Sequence, residues 1–389
     1  MPVMFYLDHN ATSPLRPEAQ VAIVQALEVS GNPSSVHGHG RAARTIVEGA
    51  REAVAELVGA RFEDVIFTSG GTEANVSALR GAAEGAAQEG ARLTRLFVSA
   101  IEHESVLAAS AALTEQIPGI RSDVIPVTRD GLVDADALRV LLREGKGRAL
   151  VTVMAANNET GAIQPLADVA RLVREAGALF FVDAVQSCGK IATDFEVLGA
   201  DYLSSSAHKI GGPQGVGALI VRRGAPYAAQ IRGGGQERGR RAGTENVAGI
   251  AGFGAAARAA QAGLDQQLYI ASLRNRFESE LCRRATDAIV FCADAPRLAN
   301  TSNFALPGIA AETAVMALDL DGVMLSSGAA CSSGRVAPSH VLRAMGVPDE
   351  LAASALRLSL GWNSSAADVD AALLSLERLV ARVNARKAA

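Results

Sequence analysis

The chain is poor in aromatic residues, in cysteines, in net charge and in long apolar runs, and each shortage removes a class of protein. Aromatics make up 4% of the 389 residues, and the formal net charge is only -4. The one basic tract is Arg238-Gly-Arg-Arg241, too little for a nucleic-acid surface, so no nucleic-acid partner is expected. Those arginines read better as a local anion site or a subunit contact. The four cysteines, Cys188, Cys282, Cys292 and Cys331, show no CxxC spacing. Neither a zinc site nor a disulfide framework is indicated, and reduced thiols are expected. No uninterrupted apolar run reaches the roughly 18 residues of a membrane span, and the N-terminus up to Asp8 lacks a basic n-region. A soluble, cytoplasmic protein is expected.

What is present is enough apolar residue to bury a large core: 49% of the chain, in a length that suggests roughly two to three structural units. Strand-like runs at 64–68, 95–99, 149–153, 179–183 and 217–221 alternate with alanine-rich helical segments. That alternation predicts an α/β fold with a mainly parallel sheet covered by helices. After a glycine-rich stretch around 233 to 252, the helical pattern from Ala255 to Arg284 reads as an exit from the large unit.

Lys209 is the most informative position. It ends an apolar strand-like segment, follows His208 and opens into glycines. That context suits an amine placed to condense with an aldehyde cofactor or a carbonyl substrate. Upstream, Leu179-Phe-Phe-Val-Asp183 reads as a buried strand ending in a carboxylate, with Gln186 just beyond. A carboxylate there faces the ligand crevice of an open α/β sheet and would hold a pyridine nitrogen protonated; an Asp capping the next turn is the structural alternative. Thr68-Ser-Gly-Gly-Thr-Glu73 breaks a strand into glycines and starts a helix, an anion site suited to a phosphate or else a plain strand-to-helix turn. It is neither a P-loop nor a dinucleotide fingerprint.

The ordered set of motifs resembles the cysteine desulfurases of the class-V aminotransferase family, in particular their NifS/IscS-like group. The motifs that carry the likeness are Thr68-Ser-Gly-Gly-Thr-Glu, Glu102-His-Glu-Ser, Asn157-Asn-Glu-Thr-Gly, Asp183-Ala-Val-Gln, Ser206-Ala-His-Lys, Gly233 to Thr244 and Ser326-Ser-Gly-Ala-Ala-Cys-Ser-Ser-Gly. They run from Leu7-Asp-His-Asn-Ala-Thr12 to Arg357-Leu-Ser-Leu-Gly361, nearly the whole chain. The resemblance implies the fold type I of pyridoxal 5'-phosphate enzymes: a large domain with a seven-stranded sheet (16–255), a smaller α+β C-terminal domain (256–389), and an N-terminal segment (1–15) packing with the latter.

Cys331 separates such an enzyme from an ordinary aminotransferase. A free cysteine is usually a buried small hydrophobe, which suits Cys188, Cys282 and Cys292. Cys331 instead lies among small polar residues, in a loop suited to carrying a thiol between two sites. The resemblance implies that L-cysteine is converted to alanine, with Lys209 moving the Cα proton and Cys331 taking the sulfur as a persulfide. By the same resemblance, His103 would stack on the cofactor ring and assist proton transfer, Asp183 would hold the ring nitrogen, and Gln186 would donate to the ring hydroxyl. Gly71, Thr72, Ser206 and His208 would bind the phosphate. Thr244 would reach the phosphate of a neighbouring subunit in a homodimer. Arg357 suits the substrate carboxylate as a bidentate fork, or else makes a structural ion pair, and Asn157 would add a hydrogen bond. His103, at a helix start, also has a purely structural reading. A sulfur acceptor or iron-sulfur scaffold protein is the implied partner, although the C-terminal tail with which some members dock a scaffold is expected to be short here. An aminotransferase or a selenocysteine lyase would share Lys209 and Asp183 without the same need for Cys331.

Overall fold

The computed structural model describes residues 4–144, 147–328 and 339–388, with side chains up to 385. Strands β1 (Phe5–Tyr6), β2 (Val65–Thr68), β3 (Leu93–Ser99), β4 (Arg121–Ile125), β5 (Arg148–Thr152), β6 (Leu179–Asp183), β7 (Tyr202–Ser206) and β8 (Gly217–Val221) are followed by β9 (Ile289–Val290), β10 (Thr301–Ala305), β11 (Val323–Met324), β12 (Ser326–Ser327) and β13 (Ala355–Ser359). Seven of them form one sheet in the order β2-β8-β7-β6-β5-β3-β4. It is mainly parallel, with β8 antiparallel to both its neighbours.

Helices cover both faces, so the central strands β6, β7 and β8 are buried along their whole length. β6 is buried along its length, and its successive residues Phe180 and Phe181 belong to the cores on opposite faces. One core takes the helices Gly38–Val58 and Val247–Ala262; the other takes Gly71–Gln88 and Glu104–Gln116. The small residues of helix Gly71–Gln88 let other backbone come close: a Cβ at Gly85 would sit 2.4 Å from the amide nitrogen of Tyr227. At the sheet edge, β4 (Arg-Ser-Asp-Val-Ile) is largely exposed, and its polar composition explains why the sequence pattern did not reveal it.

A second core gathers Leu7, Ile270, Phe277, Phe304, Leu356 and Leu373 around the four-stranded sheet β12-β13-β10-β9. The N-terminal segment joins it through parallel pairing of β1 with β11 and a bridge from Asp8 to Ser359. The expected boundary at 255/256 falls inside the helix Val247–Ala262, whose buried residues as far as Ala260 pack on the large sheet; the second core begins at Ile270.

The carboxyl ends of the parallel strands β3, β5, β6 and β7 open on one crevice, as an open α/β sheet dictates. β6 ends in Asp183 itself, and the segments after β3, β5 and β7 bring His103, Met154 and Lys209 to the same place.

Candidate active site

A cavity of about 260 Å³ lies at that crevice, lined by Gly71, Thr72, His103, Asp183, Gln186, Ser206, His208, Lys209 and Arg357 together with Asn10, Asn75, Ser105 and Asn158. Nine of the residues singled out in the sequence therefore meet there, from strand ends and loops far apart in the chain.

Lys209 ends a short 3-10 turn, Ala207–Lys209, that follows β7 directly, so the strand fixes where the side chain begins. Its Nζ donates to the main-chain carbonyls of Asn10 (2.6 Å) and Ala11 (2.8 Å). Asp183, the last residue of β6, is 4% exposed. One oxygen accepts from the amide of Val185 at 3.0 Å, the other from Nδ2 of Asn75 at 2.7 Å. Its carboxylate is thus both the turn cap and a charge presented to the cavity.

Asn75 also donates to Ser105 Oγ (2.9 Å), which lies 2.8 Å from Nδ1 of His103. A chain of hydrogen bonds thereby links Asp183 to the imidazole. His103 caps the helix Glu104–Gln116, its Nδ1 accepting from the amide of Ser105 at 3.1 Å. That bond places the ring proton on Nε2. Burial depresses its pKa, opposed by Asp183 and reinforced by Lys209, so the neutral ring is favoured. Next to it, the fully buried Glu102 accepts from the amide of Met154 (2.6 Å), and burial, with Asp183 nearby, pushes its carboxyl well above the usual range.

The anion end is built where helix Gly71–Gln88 begins, with Gly71 and Thr72 of its first turn lining the cavity. A Cβ at Gly71 would lie 3.0 Å from Val185 Cγ2 and 3.5 Å from Ser206 Cβ, so the helix start sits tightly on the strand ends. Ser206 Oγ is buried and has no protein partner among the described residues. His208 contacts Thr12 Oγ1 through Nδ1 at 3.1 Å, and burial with Lys209 nearby lowers its pKa to about 4. Helix amides, Thr72, the unpartnered Ser206 hydroxyl, a carboxylate and an amine form a donor set that suits a phosphorylated pyridine aldehyde.

Arg357, in the middle of β13, is 2% exposed. Nη2 donates to Asp8 Oδ1 (2.6 Å) and Ser326 Oγ (3.1 Å), and Nη1 to the carbonyl of Asn158 (3.0 Å). Its Nε has no protein partner among the described residues, which leaves a donor for a ligand. The ion-pair reading has its partner in Asp8, while for a substrate carboxylate the unpartnered Nε is the donor on offer.

Two expected residues lie elsewhere, and a third falls outside the described residues. Asn157 is not brought to the cavity: its Oδ1 accepts from the amides of Glu159 and Thr160 (2.9 and 3.0 Å), and its Nδ2 donates to the carbonyl of Ile101 (3.1 Å). The adjacent Asn158 lines the cavity instead. Thr244 is exposed in a separate recess with Ser69, Glu237 and Arg241. Cys331 lies outside the described residues. Asn10, Asn75 and Asn158 were not predicted. Asn75 stands three residues after Thr72 on one helix, a spacing that puts both on one face and could have revealed it.

The family profile described as aminotransferase class-V matches residues 5–372. A relative from Cereibacter sphaeroides named cysteine desulfurase is 45% identical over 98% of this chain and 96% of its own. One from Dictyoglomus turgidum named cysteine desulfurase IscS is 41% identical over 97% of this chain and 95% of its own. Among solved structures, a NifS-like protein from Rickettsia africae superposes with a TM-score of 0.87 at 33% identity, covering 97% of this chain and 99% of that one. Another titled NifS-like protein gives 0.89 at 35%, covering 97% and 100%.

Proposed function

Since the chain belongs to the class-V aminotransferases and, within them, to the cysteine desulfurases, we propose that it converts L-cysteine to alanine with pyridoxal 5'-phosphate as cofactor and Cys331 as the first acceptor of the sulfur. The observation that carries this reading is the convergence of Lys209, Asp183, His103 and Arg357 on one cavity.

Helix Gly71–Gln88, Thr72, Ser206 and His208 would hold the cofactor phosphate, Asp183 the ring nitrogen and Gln186 the ring hydroxyl. The bound cofactor supplies an electron sink for the carbanion at substrate Cα. Arg357 fixes the substrate carboxylate, and with it the direction in which the thiol points. Lys209 takes the Cα proton, and His103, held neutral by burial, is placed to relay protons beside it. The Cys331 thiolate attacks the substrate sulfur; the Cβ–S bond breaks with its electron pair left on Cβ, which takes a proton, Lys209 returns a proton to Cα to complete alanine, and the persulfide stays on Cys331.

The exposed Thr244 suits contact with the phosphate of a second subunit, so a homodimer is part of the proposal. So is onward transfer of the sulfur to an acceptor or iron-sulfur scaffold protein in the cytoplasm. No helix among the described residues is long and apolar enough to cross a membrane.

The test is incubation of the purified protein with L-cysteine and a reductant, following alanine, sulfide and the visible spectrum beside Cys331→Ala. Equimolar alanine and sulfide from wild type, and neither from a variant that keeps the cofactor band, is the expected result. An unchanged variant rate, or a keto acid in place of alanine, would move the protein to the lyase or aminotransferase branch.

A further inference from the structure

Behind the cavity stands a second lysine that the reaction does not use. Lys190 is buried, four residues after Gln186, and its Nζ donates to Gln186 Oε1 (2.8 Å) and Asn10 Oδ1 (3.1 Å). Both acceptors are neutral amide oxygens, so this buried amine does not complete an ion pair.

The chemistry of the partners settles how the Gln186 amide is turned. An ammonium only donates and a main-chain carbonyl only accepts. With Oε1 on Lys190, the Gln186 amide nitrogen must face the other way, and it donates to the carbonyl of Asn10 at 2.9 Å. One N–H is spent there, and the second remains on a side chain that lines the cavity. The same Asn10 carbonyl also accepts from Nζ of Lys209 at 2.6 Å. Asn10 is itself clamped, its Oδ1 by Lys190 and by Asn300 Nδ2 (2.9 Å), its Nδ2 by Thr301 Oγ1 (2.9 Å) and the carbonyl of Asn158 (3.1 Å).

We propose that Lys190 is a positioning residue for the cofactor site: its side-chain N–H donors lock the Gln186 and Asn10 amides in one orientation, so that Gln186 presents an N–H donor to the bound cofactor and the Asn10 carbonyl stays fixed under Lys209. This rests on the cofactor reading of the cavity given above. The electrostatic setting shows what the arrangement costs. Burial, with Lys209 and Arg357 as cationic neighbours and only the Cys188 thiol acting the other way, lowers the Lys190 pKa to about 7. A purely structural position would be filled more cheaply by an apolar side chain.

The experiment uses Lys190→Met, which keeps the length and removes the donor, with Gln186→Ala and the double variant. The readouts are affinity of the apoprotein for pyridoxal 5'-phosphate and the absorption maximum of the bound cofactor. Loss of the charged hydrogen bond should weaken cofactor binding about tenfold and shift the band. In the Gln186→Ala background the same change should do nothing further, because Lys190 acts through that side chain. Wild-type affinity and spectrum in a folded Lys190→Met, or effects that simply multiply with Gln186→Ala, would overturn the proposal. If Lys190→Met does not fold, Lys190→Leu, which also lacks the donor, is measured with the same two outcomes. A crystal structure of the variant gives a readout that needs no cofactor: Gln186 should leave the Asn10 carbonyl, and an unmoved Gln186 would sink the idea. Wild-type protein that binds no pyridoxal 5'-phosphate would overturn the reading of the cavity instead, with the Gln186 position still deciding the role of Lys190.

Discussion

The main-chain carbonyl of Asn10 lies 2.6 Å from Nζ of Lys209, 199 positions along the chain. The N-terminal segment is therefore a wall of the cavity as well as an addition to the second core, which it enters at Leu7. Because carbonyls hold the amine, substitution at Lys209 and substitution of the Asn10 side chain should differ in kind.

Lys209→Ala removes the base and the amine that would condense with the cofactor. Turnover of cysteine should fall at least about 10³-fold, since both general-base and covalent contributions go together. Stopped-flow spectra should show substrate binding without product. Lys209→Ala with more than a few per cent of wild-type alanine production would remove Lys209 from the chemistry.

Arg357 serves two partners, and kinetics can separate them. Arg357→Lys loses the planar fork that pairs with a carboxylate, so KM for cysteine should rise about 10- to 100-fold with a smaller change in kcat. Asp8→Asn, which removes the ion pair at 2.6 Å but leaves the guanidinium, should lower thermal stability and leave KM within about threefold. An equal KM effect in both variants would mean that Arg357 only holds the N-terminal segment.

Asn157 carries a different expectation. Its side chain closes the turn that precedes Gly161, satisfying two amides of that loop and the carbonyl of Ile101 in another. Asn157→Ala strips a buried turn of those bonds and should cost roughly 2–4 kcal/mol of stability, seen as a lower melting temperature in apoprotein and holoprotein alike. A wild-type melting curve with a raised KM would return Asn157 to the list of substrate ligands.

Much of this was legible in the sequence where chemistry and periodicity coincide. The strand ending in Asp183 announced itself because a parallel strand buried on both faces is apolar almost to its end, and the glycine break after Thr68 did so because it follows a short strand buried along its length. The segment before Lys209 read as strand-like, and the structure shows it as β7, whose Ser204, Ser205 and Ser206 are polar yet buried. Between the neighbouring Asn157 and Asn158 the sequence offered no choice, because a loop has no period to say which side chain turns inward. The contact of Lys190 with Asn10 joins positions 180 apart and follows only from the packing of the N-terminal segment against the large sheet.

That segment also sets the acid response of the apoprotein. His9 packs so closely on Gly361 that a Cβ there would stand 1.8 Å from its Nδ1, and its ring meets Tyr6 edge-on at 5.3 Å. Burial first, then Lys190 and Arg16, lowers its pKa to about 3, while burial and Lys209 take His208 to about 4. In the unfolded chain both rings titrate near the usual 6.5. Between about pH 6.5 and 4 the unfolded state therefore binds more protons than the folded one. The stability these rings contribute is complete above 6.5 and is lost as the pH falls, at up to about 1.4 kcal/mol per pH unit for each ring. Thermal melts of apoprotein should thus shift downward from pH 7 to pH 5, and His9→Gln should flatten the dependence relative to wild type. Parallel curves for the two proteins would show that His9 is not held neutral in the fold.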